Sequence, residues 1–218
     1  MRYKCLVLDH DETVVQTERT IGYPFFKSFL EKVRPGVTVS LQDYAKDCHD
    51  LGFVEMCRKK YAFTDAELKE EHTTWSAYLQ THVPEIFPGI AQIIHLQKQA
   101  GGLVCVVSHS GEDTIRRDYR VHFGIEPDCV YGWDLPEHQR KPNPYPLEQI
   151  MKTYSLSSVD VLVVDDAQLA CQMAAPLQVD VAYAAWGKKD FPCLDAQMQK
   201  LCKYTFETTK ELQNFLFK

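Results

Sequence analysis

Lys4-Cys5-Leu6-Val7-Leu8-Asp9-His10-Asp11-Glu12-Thr13 begins as a continuous apolar run and stops at two carboxylates one residue apart. An apolar run without polar alternation predicts a strand buried on both faces, as in a parallel sheet covered by helices. Alternate residues of an extended segment share a side, so Asp9 and Asp11 are expected to face one point beyond the strand end while His10 faces elsewhere. In open α/β sheets that edge is where ligands bind. A calcium loop starting at Asp9 would need Gly at its sixth position and Glu at its twelfth. Val14 and Thr20 stand there, which excludes it.

Beyond Val14 the strand signals vanish until about Glu85. Ile21, Phe25, Phe29 and Leu30 fall on one face of a helix ended by Pro35-Gly36. Ser40 with Asp43, and Thr64 with Glu67, have the spacing of N-terminal capping pairs and predict two further helices. Leu68, Trp75, Tyr78 and Leu79 are expected on the buried side of the second. After Pro84–Gly89 helix and strand alternate. Helices are expected over 90–99, 112–123, 144–154 and 207–217, and strands over 103–107, 128–131, 159–164 and 179–184. The fold class that follows is α/β, a Rossmann-like parallel sheet formed by residues 1–15 and 86–218, with a helical subdomain, 16–85, inserted after the first strand.

The chain has 218 residues, enough for a substantial core, with 45% hydrophobic and 25% charged residues. It contains no apolar run of membrane-spanning length and no start resembling a secretory signal. Cys5, Cys105 and Cys171 sit in apolar or helical runs, and no C-x-x-C pair occurs among the eight cysteines. They are expected to be reduced, with the cytoplasm as the compartment. A formal net charge of −6 argues against a nucleic-acid surface. A small anionic ligand remains compatible if local cations receive it.

Short right-handed crossovers bring all strand ends to one edge. Asp9 and Asp11, then Ser108, then Asp165 and Asp166 gather there, with Lys141 in the proline-fixed stretch Arg140-Lys141-Pro142-Asn143-Pro144. Singly, each is an ordinary turn, cap or surface residue. Jointly, four carboxylates in one crevice repel each other, because each raises the cost of ionising the next. A hard divalent cation such as Mg²⁺, shared with substrate phosphate oxygens, relieves that conflict, and Lys141 adds positive charge. Such a site suits phosphoryl chemistry.

D-x-D-x-T after the first strand, Ser after the second, K-P-x-P before a later strand and D-D after it occur in that order. With these motifs the chain resembles the haloacid dehalogenase-like hydrolase superfamily over nearly its whole length. The helical insertion after the first motif is similar to the capped branch that includes phosphoglycolate phosphatase and β-phosphoglucomutase. The resemblance implies that Asp9 is the nucleophile and a Mg²⁺ ligand. It implies that Asp11 is the general acid and base, with its backbone carbonyl on the metal. Thr13 would support the loop and the substrate site, Ser108 and His109 would contact the substrate, and Lys141 would stabilise both the nucleophile and the phosphoryl group. Asp166 would ligate the metal and Asp165 would be a second ligand.

Three positions depart from the family pattern. Glu12 stands where many relatives have Gly, and its side chain is expected in solvent. Ala170 replaces a second acid, which increases the demand on Asp165. His109 replaces Asn or Thr. In the insertion, Asp47, His49, Asp50 and Arg58 lie where capped relatives place a specificity loop, and Gln16 and Thr17 lie in the hinge. The expected activity is Mg²⁺-dependent hydrolysis of a small phosphorylated metabolite through an aspartyl-phosphate, by a monomer or homodimer, with the cap closing to exclude water. A sugar-phosphate mutase would use the same core, and a non-catalytic phosphate-binding regulator would keep the same fold. Asp11 disfavours dehalogenase and phosphonate chemistry. No G-x-S-x-G elbow, G-x-x-x-x-G-K loop or G-x-G-x-x-G turn occurs.

Overall fold

Six parallel strands organise the computed structural model, which describes residues 1–188 and 198–218. They are β1 (Cys5–Leu8), β2 (Leu103–Val107), β3 (Cys129–Tyr131), β4 (Val161–Asp165), β5 (Asp180–Ala184) and β6 (Tyr204–Phe206), in spatial order β3-β2-β1-β4-β5-β6. The opening run is the centre of the sheet, with β1 hydrogen-bonded to β2 on one side and β4 on the other. Period-two alternation sends its side chains into two cores. Leu6 and Leu8 pack with Ile93, Ile94, Ile115, Tyr119 and Leu212, whereas Cys5 and Val7 pack with Leu147, Ile150, Met173 and Val163.

Apart from Val163 of β4, those partners come from helices on both faces. The first face is covered by α5 (Ile90–Gln99), α6 (Glu112–Phe123) and the closing helix α9 (Thr209–Phe217), the second by α7 (Tyr145–Thr153) and α8 (Gln168–Ala174). The three-residue strand β6 was not expected, since a run of that length carries no readable alternation. Ala170 is fully buried in the second core, where an acid would have no aqueous face.

Residues 16–85 form a second compact unit, distinct from the unit of residues 1–15 and 86–218. The chain leaves and re-enters the α/β unit through an antiparallel bridge between Val15 and Ile86. After a π-helical turn at Glu18–Gly22 come α1 (Tyr23–Val33), α2 (Leu41–Leu51), α3 (Phe53–Tyr61) and α4 (Asp65–Thr81). Ser40 caps α2, and Thr64 with Glu67 forms a reciprocal capping box on α4. The insertion thus has one helix more than the capping signals predict. Gly52, at φ +79°, separates α2 from α3, which has no capping pair of its own. On α4, Leu68, Trp75 and Tyr78 do pack against the unit's aromatic core, but the residue of that helix buried most deeply is Glu71. Asp47 pairs with Lys60, and Arg58 with Asp65 at 2.8 Å. His49 and Asp50 lie on α2, and their side chains fall outside the described residues.

The turn after β1 is tied down from several directions. The Asp9 N–H donates to the Val164 carbonyl (2.9 Å), the Val14 N–H to the His10 carbonyl (2.9 Å), and Trp186 Nε1 to the Thr13 carbonyl (3.0 Å). Glu12 corrects the expectation of a solvent-facing side chain: it is only 7% exposed, and its φ is +56°. That left-handed backbone is one that favours Gly. It presses the Glu12 carbonyl onto Gly187, where an added Cβ would lie 1.9 Å from the oxygen. Gly187→Ala is therefore expected to cost about 1–3 kcal/mol, the usual penalty of overpacking. A lowered urea midpoint at unchanged slope would register that loss, and an unchanged midpoint would mean that this contact does not fix the turn.

Candidate active site

Parallel register builds the site. Leu8 is paired with Val164, so the next residues of both strands, Asp9 and Asp165, emerge side by side at the carboxyl edge. Asp9, Asp165 and Asp166 are all buried, and each offers a carboxylate oxygen to a group whose atoms lie within 4.8 Å of one another. Lys141 joins them from the loop before α7. Its Nζ donates to Asp9 Oδ1 at 2.9 Å and to Asp165 Oδ2 at 2.8 Å, with the lysine itself only 6% exposed.

Burial pushes the Asp9 carboxyl well above its ordinary range, Lys141 opposes this, and Asp165, Asp166 and Asp11 add to it. Burial likewise raises Asp165, against the pull of Lys141. Lys141 is held charged, because its two carboxylate partners outweigh the cost of burying it.

The other expected residues surround this centre. Thr13 is fully buried and its hydroxyl donates to Asp166 Oδ1 at 3.3 Å, so it steadies an acid of the triad. Ser108 follows β2 with its N–H on the Tyr131 carbonyl, and its hydroxyl stands 3.5 Å from Asp11 Oδ2. His109 Nε2 donates to the Lys141 carbonyl at 2.8 Å, which fixes the lysine's loop. Asp11 stands apart from the triad, and Ser110 donates to its Oδ2 at 2.6 Å. His10 turns to the opposite face and donates to buried Asp118 at 3.1 Å.

Two participants escaped the sequence. Ser110 is one, legible only as the second serine of Ser108-His109-Ser110. The other is Lys188, whose Nζ lies 2.9 Å from Asp166 Oδ2. It sits after β5 in a stretch with no motif character.

Among the described residues the three carboxylates of the triad thus face two lysines, with Asp11 a further acid nearby, an excess of negative charge that a divalent cation would offset. The donor set fits such an ion. Asp9, Asp165 and Asp166 offer only oxygen, the ligand type of hard divalent cations, without the nitrogen or sulfur that marks a zinc site.

Comparison with known proteins agrees with this architecture. The family model described as haloacid dehalogenase-like hydrolase matches residues 6–184. No curated protein matches the chain significantly by sequence. Among solved structures, a predicted phosphoglycolate phosphatase from Haemophilus somnus aligns with TM-score 0.75 and 16% identity, over 99% of this chain and 98% of that one. A HAD-superfamily hydrolase, subfamily IA, from Geobacter sulfurreducens aligns with TM-score 0.72 and 14% identity, over 99% and 97%. CbbY from Rhodobacter sphaeroides, in complex with xylulose-(1,5)-bisphosphate, aligns with TM-score 0.67 and 13% identity, over 96% of each chain. These likenesses are of fold, while the family model spans most of the sequence and all the residues of the buried triad. The chain belongs to the haloacid dehalogenase-like hydrolases.

Proposed function

We propose that the protein is a Mg²⁺-dependent phosphatase of a small phosphorylated metabolite, working through an aspartyl-phosphate on Asp9. The observation that carries this reading is the lysine-bridged pair of Asp9 and Asp165 at the carboxyl edge, with Asp166 beside them. Mg²⁺ held by Asp9, Asp165 and Asp166 would supply charge neutralisation for the phosphoryl oxygens. Family membership supports hydrolysis. The bisphosphate bound by the Rhodobacter protein, and the phosphate bound in another structure of it, support the substrate class.

In this reading an Asp9 oxygen attacks phosphorus, forming the acyl phosphate as the bond to the leaving alcohol breaks. Lys141 offsets the charge on Asp9 and on the transferring group, and the Ser108 hydroxyl donates to a phosphoryl oxygen. Asp11 gives its proton to the departing alkoxide. As a carboxylate it then takes a proton from water, whose oxygen attacks phosphorus and releases phosphate and free Asp9. Ser110, donating to Asp11 Oδ2, orients that acid.

Phosphate release from a panel of phosphorylated metabolites and an aryl phosphate tests the proposal. Wild type with Mg²⁺ is expected to turn over at least one member. Asp9→Asn is expected to release none, and Asp11→Asn to lose about 10²–10⁴-fold, the range for a removed acid–base group. Turnover by Asp9→Asn would remove the nucleophile assignment.

The metal assignment has a readout that needs no turnover. Mg²⁺ added to chelator-stripped protein should raise Tm by several degrees, since a ligand that binds only the folded state stabilises it. Asp166→Asn should show a smaller rise, and chelator should reverse both. Equal Tm with and without Mg²⁺ would take the ion out of this site.

A further inference from the structure

The helical unit contains a cavity of about 230 Å³ whose walls include Phe25, Phe26, Tyr44, Phe53 and Trp75, together with a single carboxylate, Glu71. The rings pack as a box. Phe25 and Trp75 have centroids 5.1 Å apart, Phe26 and Tyr44 4.9 Å, and Phe26 meets Phe53 edge-on at 5.9 Å. Exposed His72 belongs to the same lining, which gives the cavity an edge at the surface.

Glu71 sits where helix geometry calls for an apolar residue. It lies three positions after Leu68 and four before Trp75, within the stripe of α4 that packs on the aromatic core. It is 7% exposed, and among the described residues no hydrogen bond or ion pair holds its oxygens. Burial alone pushes its carboxyl up to about 7, with no neighbour opposing. None of the lining residues is a lysine or arginine.

An unpaired carboxylate in such a place is costly, and a Leu or Met would pack there without that cost. The chemistry of the walls decides what would complete it. An anion is repelled by Glu71, and a hard metal ion finds one carboxylate where it needs several oxygens. A neutral apolar molecule offers Glu71 no partner and leaves it to take up a proton. A small organic ammonium ion satisfies both wall types, with its positive charge on Glu71 and its alkyl groups against the ring faces that attract cations.

We propose that this cavity in the helical unit is a binding site for a small organic ammonium ion. Glu71 is its counter-charge and Trp75 and Phe25 supply cation-attracting faces. The inference does not rest on the phosphatase reading, and failure of phosphate release would leave it untouched.

Calorimetric titration of the full chain tests it with choline, tetramethylammonium and n-propylammonium, against 3,3-dimethylbutan-1-ol, the uncharged isostere of choline. At least one cation is expected to bind saturably and about tenfold or more tighter than the alcohol, as a desolvated cation on aromatic faces should. The choline and propylammonium arms distinguish a quaternary head from a hydrogen-bonding primary one. Glu71→Gln should weaken that cation by about tenfold or more while leaving the alcohol and the Tm unchanged or improved. Trp75→Leu, which keeps apolar area and removes the π-face, should weaken the cation alone. The proposal is overturned if none of the three cations binds, if the alcohol binds equally well, or if folded Glu71→Gln binds the cation as wild type does.

Discussion

An ammonium group buried between two buried carboxylates is the constraint on which the carboxyl edge of the sheet depends. Adjacent parallel strands stand about 4.8 Å apart, and the register of β1 with β4 brings Asp9 and Asp165 out next to each other. Two carboxylates at that spacing, both shielded from water, repel strongly unless a cation lies between them. Lys141 is that cation, and it arrives from a loop remote in sequence from both strands. Whatever positions the loop therefore governs the charge balance of the whole edge. His109, holding the Lys141 carbonyl, is part of that positioning, which gives the residue after Ser108 a role in the scaffold of the site.

The same economy appears on the other side of β1. The stretch after β5, Ala185–Gly187 with Lys188 following, serves the first motif twice. Trp186 holds the Thr13 carbonyl, and Gly187 leaves room for the Glu12 carbonyl. Lys188 then reaches Asp166, whose second oxygen accepts from Thr13. A turn that must place two acids accurately is thus braced by backbone and side-chain contacts from a strand two positions away in the sheet. The left-handed Glu12 is tolerated because the surrounding contacts over-determine the turn.

Sequence reading reached β1, β2 and β4 because each is a continuous apolar run, and it reached the site because those runs end in charge. It missed β6 because three residues at a sheet edge have no pattern to read. It gave no separate signal for α3, because Gly52 acts through its φ, which sequence does not display. Glu12 was placed in solvent on the general habit of charged side chains, yet its position in the turn directs it inward. Lys188 and Ser110 had no local signal, since their partners come together only through the fold. Glu71 does carry a local signal, since it interrupts the apolar stripe of Leu68, Trp75 and Tyr78.

The two units handle buried acids in opposite ways, and the contrast follows from where the backbone puts them. At the sheet edge, register clusters the carboxylates, so each increases the cost of the others, and the excess that two lysines leave suits a compact ion of high charge with oxygen preference, the ion proposed for this site. On α4, helical spacing sets one carboxylate among rings, with no lysine or arginine in the cavity's lining. There the field to be matched is weak and monovalent, and the surroundings are apolar. A small, strongly hydrated metal ion would lose its water for a single oxygen, whereas a diffuse cation clothed in alkyl groups gives up little hydration and gains contact with every wall. Charge density, set by how the fold groups or isolates its acids, is what separates the two environments.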